Sequence, residues 1–256
     1  MCGRYLITSN PEAMRALFRY LEQPNFPARH NIAPTQPMPI VRITEGERHF
    51  ALVRWGLVPS WVKDPRAFSL LNNARGESVN EKPAFRNAMK RRRCLIPADG
   101  FYEWKQEAGR KQPFVIRPRD GAPLAFAGLW ETWMGPNGEE METAAIITTQ
   151  ANRDIAHVHD RMPVIIPPDT FDFWLDCNKV DAVAAAAVLV PARLGLLEAY
   201  EVSTAVNRVA NDTAALLERV VAQAASDVSS AKVAGAASPA KRARAPKKDD
   251  RQSSLF

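Results

Sequence analysis

The chain has 256 residues, 46% hydrophobic and 24% charged, ordinary for a soluble globular protein with room for a sizeable core. No stretch resembles a membrane helix, the start lacks a signal peptide's regions, and Cys2, Cys94 and Cys177 have no metal-like spacing, so a cytoplasmic protein without disulfide framework or zinc is expected. The formal net charge is +6, but residues 223–256 hold seven Lys/Arg against three Asp, which leaves 27 against 25 in residues 1–222: any basic surface on the body is a local patch.

The chain opens Met1-Cys2-Gly3. Methionine is normally trimmed before a small residue, and trimming would leave Cys2 with a free α-amine and a thiol on adjacent carbons. Their ordinary pKa values, about 7.7–8.0 and about 8.5, keep both partly nucleophilic at neutral pH. Such an aminothiol condenses with an aldehyde to a Schiff base, and the sulfur can then close a five-membered thiazolidine. A second-position cysteine can equally be a small buried hydrophobe.

Cys2–Thr8 reads as a strand, and Asn10-Pro11-Glu12 starts a helix through Ala13–Leu21 with Asn10 as N-cap. The following Pro-rich segment, PNFPARHNIAPTQPMP, is expected to be a surface loop. Pro39–Thr44 and Phe50–Trp55 pattern as strands joined by a turn at Glu45-Gly46-Glu47, and Trp61 sits in a polar context that suggests a loop tip able to stack on a base. Leu70–Glu77 reads as a loop, Ala84–Lys90 as a helix, and Lys90–Arg93 as its solvated basic end.

Cys94–Ala98 is a buried strand by composition, and Phe101-Tyr102-Glu103-Trp104 places one carboxylate among aromatics. That glutamate is either solvent-facing on an edge strand or desolvated, with a raised pKa suited to acid–base work. Strands are expected at Pro113–Arg117, Leu124–Trp130, Thr143–Thr149 and Tyr200–Ser203, with helices at Asp169–Asp176, Asp181–Leu189 and Thr213–Val221. The spacing of His157 and His159 admits a metal pair, but no further ligands recur nearby, so a catalytic or capping His159 beside Arg161 is the better reading. Residues 223–256 are rich in Ala, Ser, Lys and Pro and are expected to form a disordered tail behind a 1–222 domain.

Eight stretches together resemble the SOS-response-associated peptidase (SRAP) family of abasic-site processing proteins. They are MCGRY, NIAPTQ at Asn31–Gln36, RWGLVPSW at Arg54–Trp61, NNARGE at Asn72–Glu77, PADGFYEW at Pro97–Trp104, IITTQAN at Ile146–Asn152, HDRMPVII at His159–Ile166 and VSTAVN at Val202–Asn207. The resemblance implies one α+β domain with a β-barrel-like core and peripheral helices, acting on abasic sites in single-stranded DNA near single-to-double-strand junctions. It implies a thiazolidine crosslink through Cys2 after Met1 removal, without metal or cofactor, with AP-lyase and self-processing peptidase activities at the side.

Matching positions make Cys2, Asn73, Glu103 and His159 the catalytic set. Arg4, Arg75, Arg161 and Thr148 would position the DNA, with Pro34 and Trp61 as wedge residues, though Val62 stands where some relatives have a second aromatic. The last five residues, Gln252-Ser253-Ser254-Leu255-Phe256, resemble a bacterial sliding-clamp-binding pentapeptide, with Gln252, Leu255 and Phe256 as the binding residues. A monomer working at replication forks on the nucleoid is expected. Two rivals remain. One is an N-terminal-nucleophile glutamine amidotransferase, for which Asn137-Gly138 would be the oxyanion site. The other is a non-catalytic single-stranded DNA-binding module.

Overall fold

A computed structural model describes residues 2–107 and 109–220, so the tail and its candidate clamp-binding residues Gln252, Leu255 and Phe256 lie outside the described residues. Strands dominate: β1 (Arg4–Ile7), β2 (Arg29–Ile32), β3 (Pro37–Thr44), β4 (Glu47–Trp55), β5 (Asn73–Arg75), β6 (Arg93–Ala98), β7 (Gly100–Glu107), β8 (Arg110–Pro118), β9 (Leu124–Met134), β10 (Glu140–Gln150), β11 (Arg161–Pro163) and β12 (Leu197–Glu201). The helices α1 (Pro11–Phe18), α2 (Arg86–Arg91), α3 (Phe171–Leu175) and α4 (Ala182–Ala186) are short.

Five strands close a barrel. Strand β10 pairs with β4, β4 with β3, β3 with β6, β6 with β9, and β9 returns to β10. The far half of β10 bonds instead to β5 and β11, so one long strand serves both the barrel and the site. A second sheet runs in the order β12-β8-β7-β1-β2. Where the sheets meet, Tyr5 packs edge-on against Trp55 at 5.3 Å and Phe126 at 6.3 Å, and Phe101 meets Phe126 at 5.9 Å. Such pairs contribute about 0.5–1.5 kcal/mol each beyond area burial. They fix β1 and β7, the elements that lead to Cys2 and carry Glu103, against the barrel.

Local chemistry explains the element ends. Asn10 Oδ1 accepts the Ala13 N–H at 2.7 Å, capping α1, and Arg19 in the left-handed region (φ 57°) ends it at Phe18, short of the expected Leu21. Prolines 37 and 39 are tolerated in β3 because β6 joins it only at Val41, so their missing N–H groups face no partner strand.

Several expectations need correcting. The Pro-rich segment is not all loop: Arg29–Ile32 forms β2, where the proline-free stretch of that segment pairs on one side with β1 at the sheet edge. Asn73–Arg75 is a strand parallel to β10, stabilised by pairing that lies far away in sequence. The basic run is solvated only in its first half: Lys90 and Arg91 are exposed in the last turn of α2, and the next two arginines turn inward. Arg93 is 1% exposed and donates to the carbonyls of Met89, Trp174, Asp176 and Val180, joining α2 to the α3–α4 region. Arg92 pairs with buried Glu131 at 3.0 Å and stacks over Trp130. The expected final helix is a short 3-10 turn at Ala214–Leu217.

Candidate active site

Cys2 lies just before β1, 1% exposed, with its Sγ 3.8 Å from the Arg4 carbonyl. Asn73, the first residue of β5, donates from Nδ2 to the Cys2 carbonyl at 2.8 Å. That strand is set by parallel pairing of Asn73 with Ile146 and by the Trp55 indole, which donates to the Asn72 carbonyl at 2.9 Å. Asn73 Oδ1 is buried without a partner among the described residues, leaving an acceptor for an incoming amine or hydroxyl. Burial, reinforced by the Glu103 carboxylate, pushes the Cys2 thiol well above its ordinary pKa. The sulfur therefore rests as a thiol.

Glu103 is 2% exposed on β7, opposite Phe114 of β8. Burial is the chief cause that raises its carboxyl to about 7, so the desolvated alternative holds and the solvent-facing one does not, although Tyr102 and Trp104 pack with Leu6 and Val115 in a separate cluster. His159 Nε2 lies 3.8 Å from Glu103 Oε2. The Arg161 backbone N–H donates to His159 Nδ1 at 2.9 Å, which in the neutral ring puts the proton on Nε2, facing the glutamate. Asp160 Oδ1 also stands 2.9 Å from Nδ1, but that side chain is 88% exposed, whereas the Arg161 amide is fixed at the start of β11. Burial first, and then the positive chain terminus, lower the His159 pKa, favouring the neutral ring.

The structure thus gathers Cys2, Asn73, Glu103 and His159, with a thiol, an orphan amide oxygen, a carboxyl that titrates near neutrality and an N–H donor. The expected DNA-positioning residues differ among themselves. Arg75 is exposed on β5. Arg161 forms a two-pronged pair with Glu77, at 2.5 and 2.8 Å, and donates to the Thr148 carbonyl at 2.8 Å. Thr148 is fully buried, its hydroxyl donating to the Ala74 carbonyl at 3.4 Å, so it holds the strands. Arg4 donates to Asn31 Oδ1 and the Val206 and Asn207 carbonyls, tying β1 to the VSTAVN segment. Pro34 is half-buried in a turn, and Trp61 is 57% exposed, braced edge-on by Phe68 at 5.7 Å.

Sequence reading missed several supporting residues. Tyr5 carries a buried hydroxyl with no partner among the described residues, and its pKa is raised by burial and then by the neighbouring Cys2. Glu77 and Phe68 gave no local signal, because each acts through a residue far away or across a loop. Asn137-Gly138 does not serve an oxyanion site. It sits in the β9–β10 turn, bonded to Glu139. From there β10 runs extended to Thr148, roughly 25–30 Å at about 3.3 Å per residue.

Comparison with known proteins identifies the family and the fold. Residues 1–209 match the family described as SOS response associated peptidase (SRAP). The chain is 36% identical over 222 residues to abasic site processing protein YoqW of Bacillus subtilis (strain 168), covering 85% of this chain and 99% of that protein. It is 31% identical over 229 residues to abasic site processing protein YedK of Escherichia coli (strain K12), covering 86% of this chain and all of that one. Among solved structures, a protein from Bacteroides thetaiotaomicron shares the fold with a TM-score of 0.77 at 24% identity, over 86% of this chain and all of the other. A Bordetella bronchiseptica protein matches at 0.69 and 29% identity, over 79% of this chain and all of its own. The chain belongs to the SOS response associated peptidase (SRAP) family.

Proposed function

We propose that this protein processes abasic sites in DNA by forming a thiazolidine crosslink through Cys2 once Met1 is removed. The observation that carries the reading is the placement of Asn73 on the Cys2 backbone, beside a buried thiol and a carboxyl that titrates near 7. The names of the relatives support abasic-site processing; the chemistry follows from the groups.

A ring-opened abasic sugar presents an aldehyde at C1′. The neutral Cys2 amine attacks that carbon, and Glu103 takes a proton from nitrogen and returns one to the departing hydroxyl, which leaves as water. Sγ then adds to the imine carbon while its proton passes to nitrogen. One aldehyde and one aminothiol give one thiazolidine and one water. The high thiol pKa favours this order: the amine attacks and the sulfur locks. Asn73 Oδ1 can hold the amine or a sugar hydroxyl, and His159 Nε2–H can donate to the sugar oxygen. Ring closure removes the imine that would drive β-elimination, so lyase activity is a side reaction.

The proposal extends to single-stranded DNA and junctions as substrate, with exposed Arg75 placed for phosphate and Trp61 for stacking. It also extends to action as a monomer at cytoplasmic replication forks, with a 223–256 tail recruiting a sliding clamp through Gln252, Leu255 and Phe256. A labelled peptide of the last dozen residues with no clamp affinity would remove that arm.

The central test mixes the Met1-trimmed protein with an abasic-site oligonucleotide and runs a denaturing gel without reductant. A shifted band, absent in Cys2→Ala and lighter by one water than the summed masses, is expected. Native-gel retention with no covalent band would instead indicate a non-catalytic DNA-binding module.

A further inference from the structure

Three non-glycine residues among those described have positive φ: Arg19, Thr35 and Glu45. Two have local causes. Arg19 (φ 57°) closes α1 by donating its N–H to the Arg15 carbonyl. Glu45 (φ 52°) and Gly46 (φ 88°) form the two-residue β3–β4 turn, whose twist calls for positive φ at both. Thr35 has φ 74° and is β-branched, the kind of residue most strained in that region. Its side chain is exposed, and its hydroxyl bonds to none of the described residues. Neither packing nor internal hydrogen bonding calls for threonine there.

The backbone around it is tied down. Gln36 N–H donates to the Ala33 carbonyl at 3.2 Å, closing a turn with Pro34 second and Thr35 third, where glycine is the usual choice. Trp55 clamps the turn, its carbonyl accepting from Thr35 N–H at 2.8 Å and its N–H donating to the Gln36 carbonyl at 3.0 Å. The same residue holds Asn72 through its indole and packs against Tyr5. The antiparallel register sets Ile32 opposite Tyr5, so the chain leaving β2 runs toward the Cys2 end of β1. Strain of this kind persists where the surroundings over-determine it, and it gathers at ligand clamps.

Resting on the function proposed above, we propose that Thr35 is a DNA-binding residue of the Cys2 site: a strained, fixed contact whose hydroxyl donates to a phosphate of the nucleotide adjoining the abasic position. The threonine is kept for the DNA, at a cost in stability.

The test compares Thr35→Gly, Thr35→Val and Thr35→Ser with the unaltered protein. Binding is read by fluorescence anisotropy on a single strand carrying a tetrahydrofuran abasic analogue, which has no aldehyde and cannot crosslink. Thr35→Gly, relieved of strain, should unfold about 2–4 °C higher yet bind about fivefold to tenfold more weakly. Thr35→Val, still strained, should keep the original midpoint and bind as weakly as the glycine variant. Thr35→Ser should restore binding. At limiting natural abasic DNA, crosslinking should slow by the same fivefold to tenfold as binding weakens, and a loss well beyond that factor would mean general damage to the site and overturn the contact.

A glycine variant no more stable than the parent overturns the strain argument. Unchanged binding by the glycine or valine variant overturns the contact. Failure of the unaltered protein to crosslink overturns only the proposed function, because anisotropy and the unfolding midpoint read Thr35 without the covalent step.

Discussion

The side-chain amide of Asn73 donates to the backbone carbonyl of Cys2 across 71 residues of sequence, at 2.8 Å. One hydrogen bond thus orients the residue whose amine would meet the aldehyde in the proposed reaction, while the other end of the same amide has no partner among the described residues. Asn73→Ala should slow crosslinking by about 100-fold, the effect expected of a misplaced nucleophile, and cost only about 1 kcal/mol of stability. Gel-based rates and urea unfolding check the two halves separately.

The Glu103 carboxyl predicts opposite pH trends for stability and chemistry. Its folded pKa of about 7 lies above the unfolded value, so the stabilisation it contributes is present at acid pH and lost as pH rises through 7. Glu103→Gln should therefore gain stability over the parent as pH goes from 5 to 8, by up to roughly 3 kcal/mol. Crosslinking by the parent should rise with pH through about 7 as the base forms, and the glutamine variant should lose that rise. Paired unfolding and rate profiles decide it.

Glu77 occupies the guanidinium fork of Arg161, the group that a phosphate would need in the proposed DNA contact. Its side chain is 47% exposed, so the pair contributes about 0–1 kcal/mol to stability. Glu77→Gln should leave the unfolding midpoint nearly unchanged, tighten single-strand binding and steepen the log–log salt dependence by about 0.7, one added phosphate contact. An unaltered slope would mean Arg161 serves only to hold the His159 turn.

Phe68, six positions beyond Val62, braces the exposed Trp61. It meets Trp61 edge-on at 5.7 Å over a small cluster of Val58, Val62 and Trp133, in which Trp133 Nε1 also holds the Val62 carbonyl. Phe68→Ala should weaken binding to single-stranded DNA about threefold to tenfold, and Trp61→Ala more, within the range of a stacked base. Tryptophan fluorescence quenching by oligonucleotide reports both.

The sequence by itself determined the strands with strong local patterning. It also determined the N-cap at Asn10 and the chemistry available to an aminothiol at Cys2. The four residues of the candidate site were legible through family resemblance, and Glu103 also through its aromatic neighbours. Tertiary structure decided what depends on distant partners. β2 and β5 are strands because β1 and β10 pair with them, and nothing within Arg29–Ile32 or Asn73–Arg75 dictates it. Arg93 is buried because four carbonyls converge on it, whereas its sequence context of consecutive cations reads as solvated. Likewise Arg4, Thr148 and Arg161 are cations and a hydroxyl in sequence, and only the fold shows which donors are already committed to protein acceptors. Residue type sets what a group can donate or accept; the packing of segments far apart in the chain sets whether that capacity is spent inside or left for a ligand.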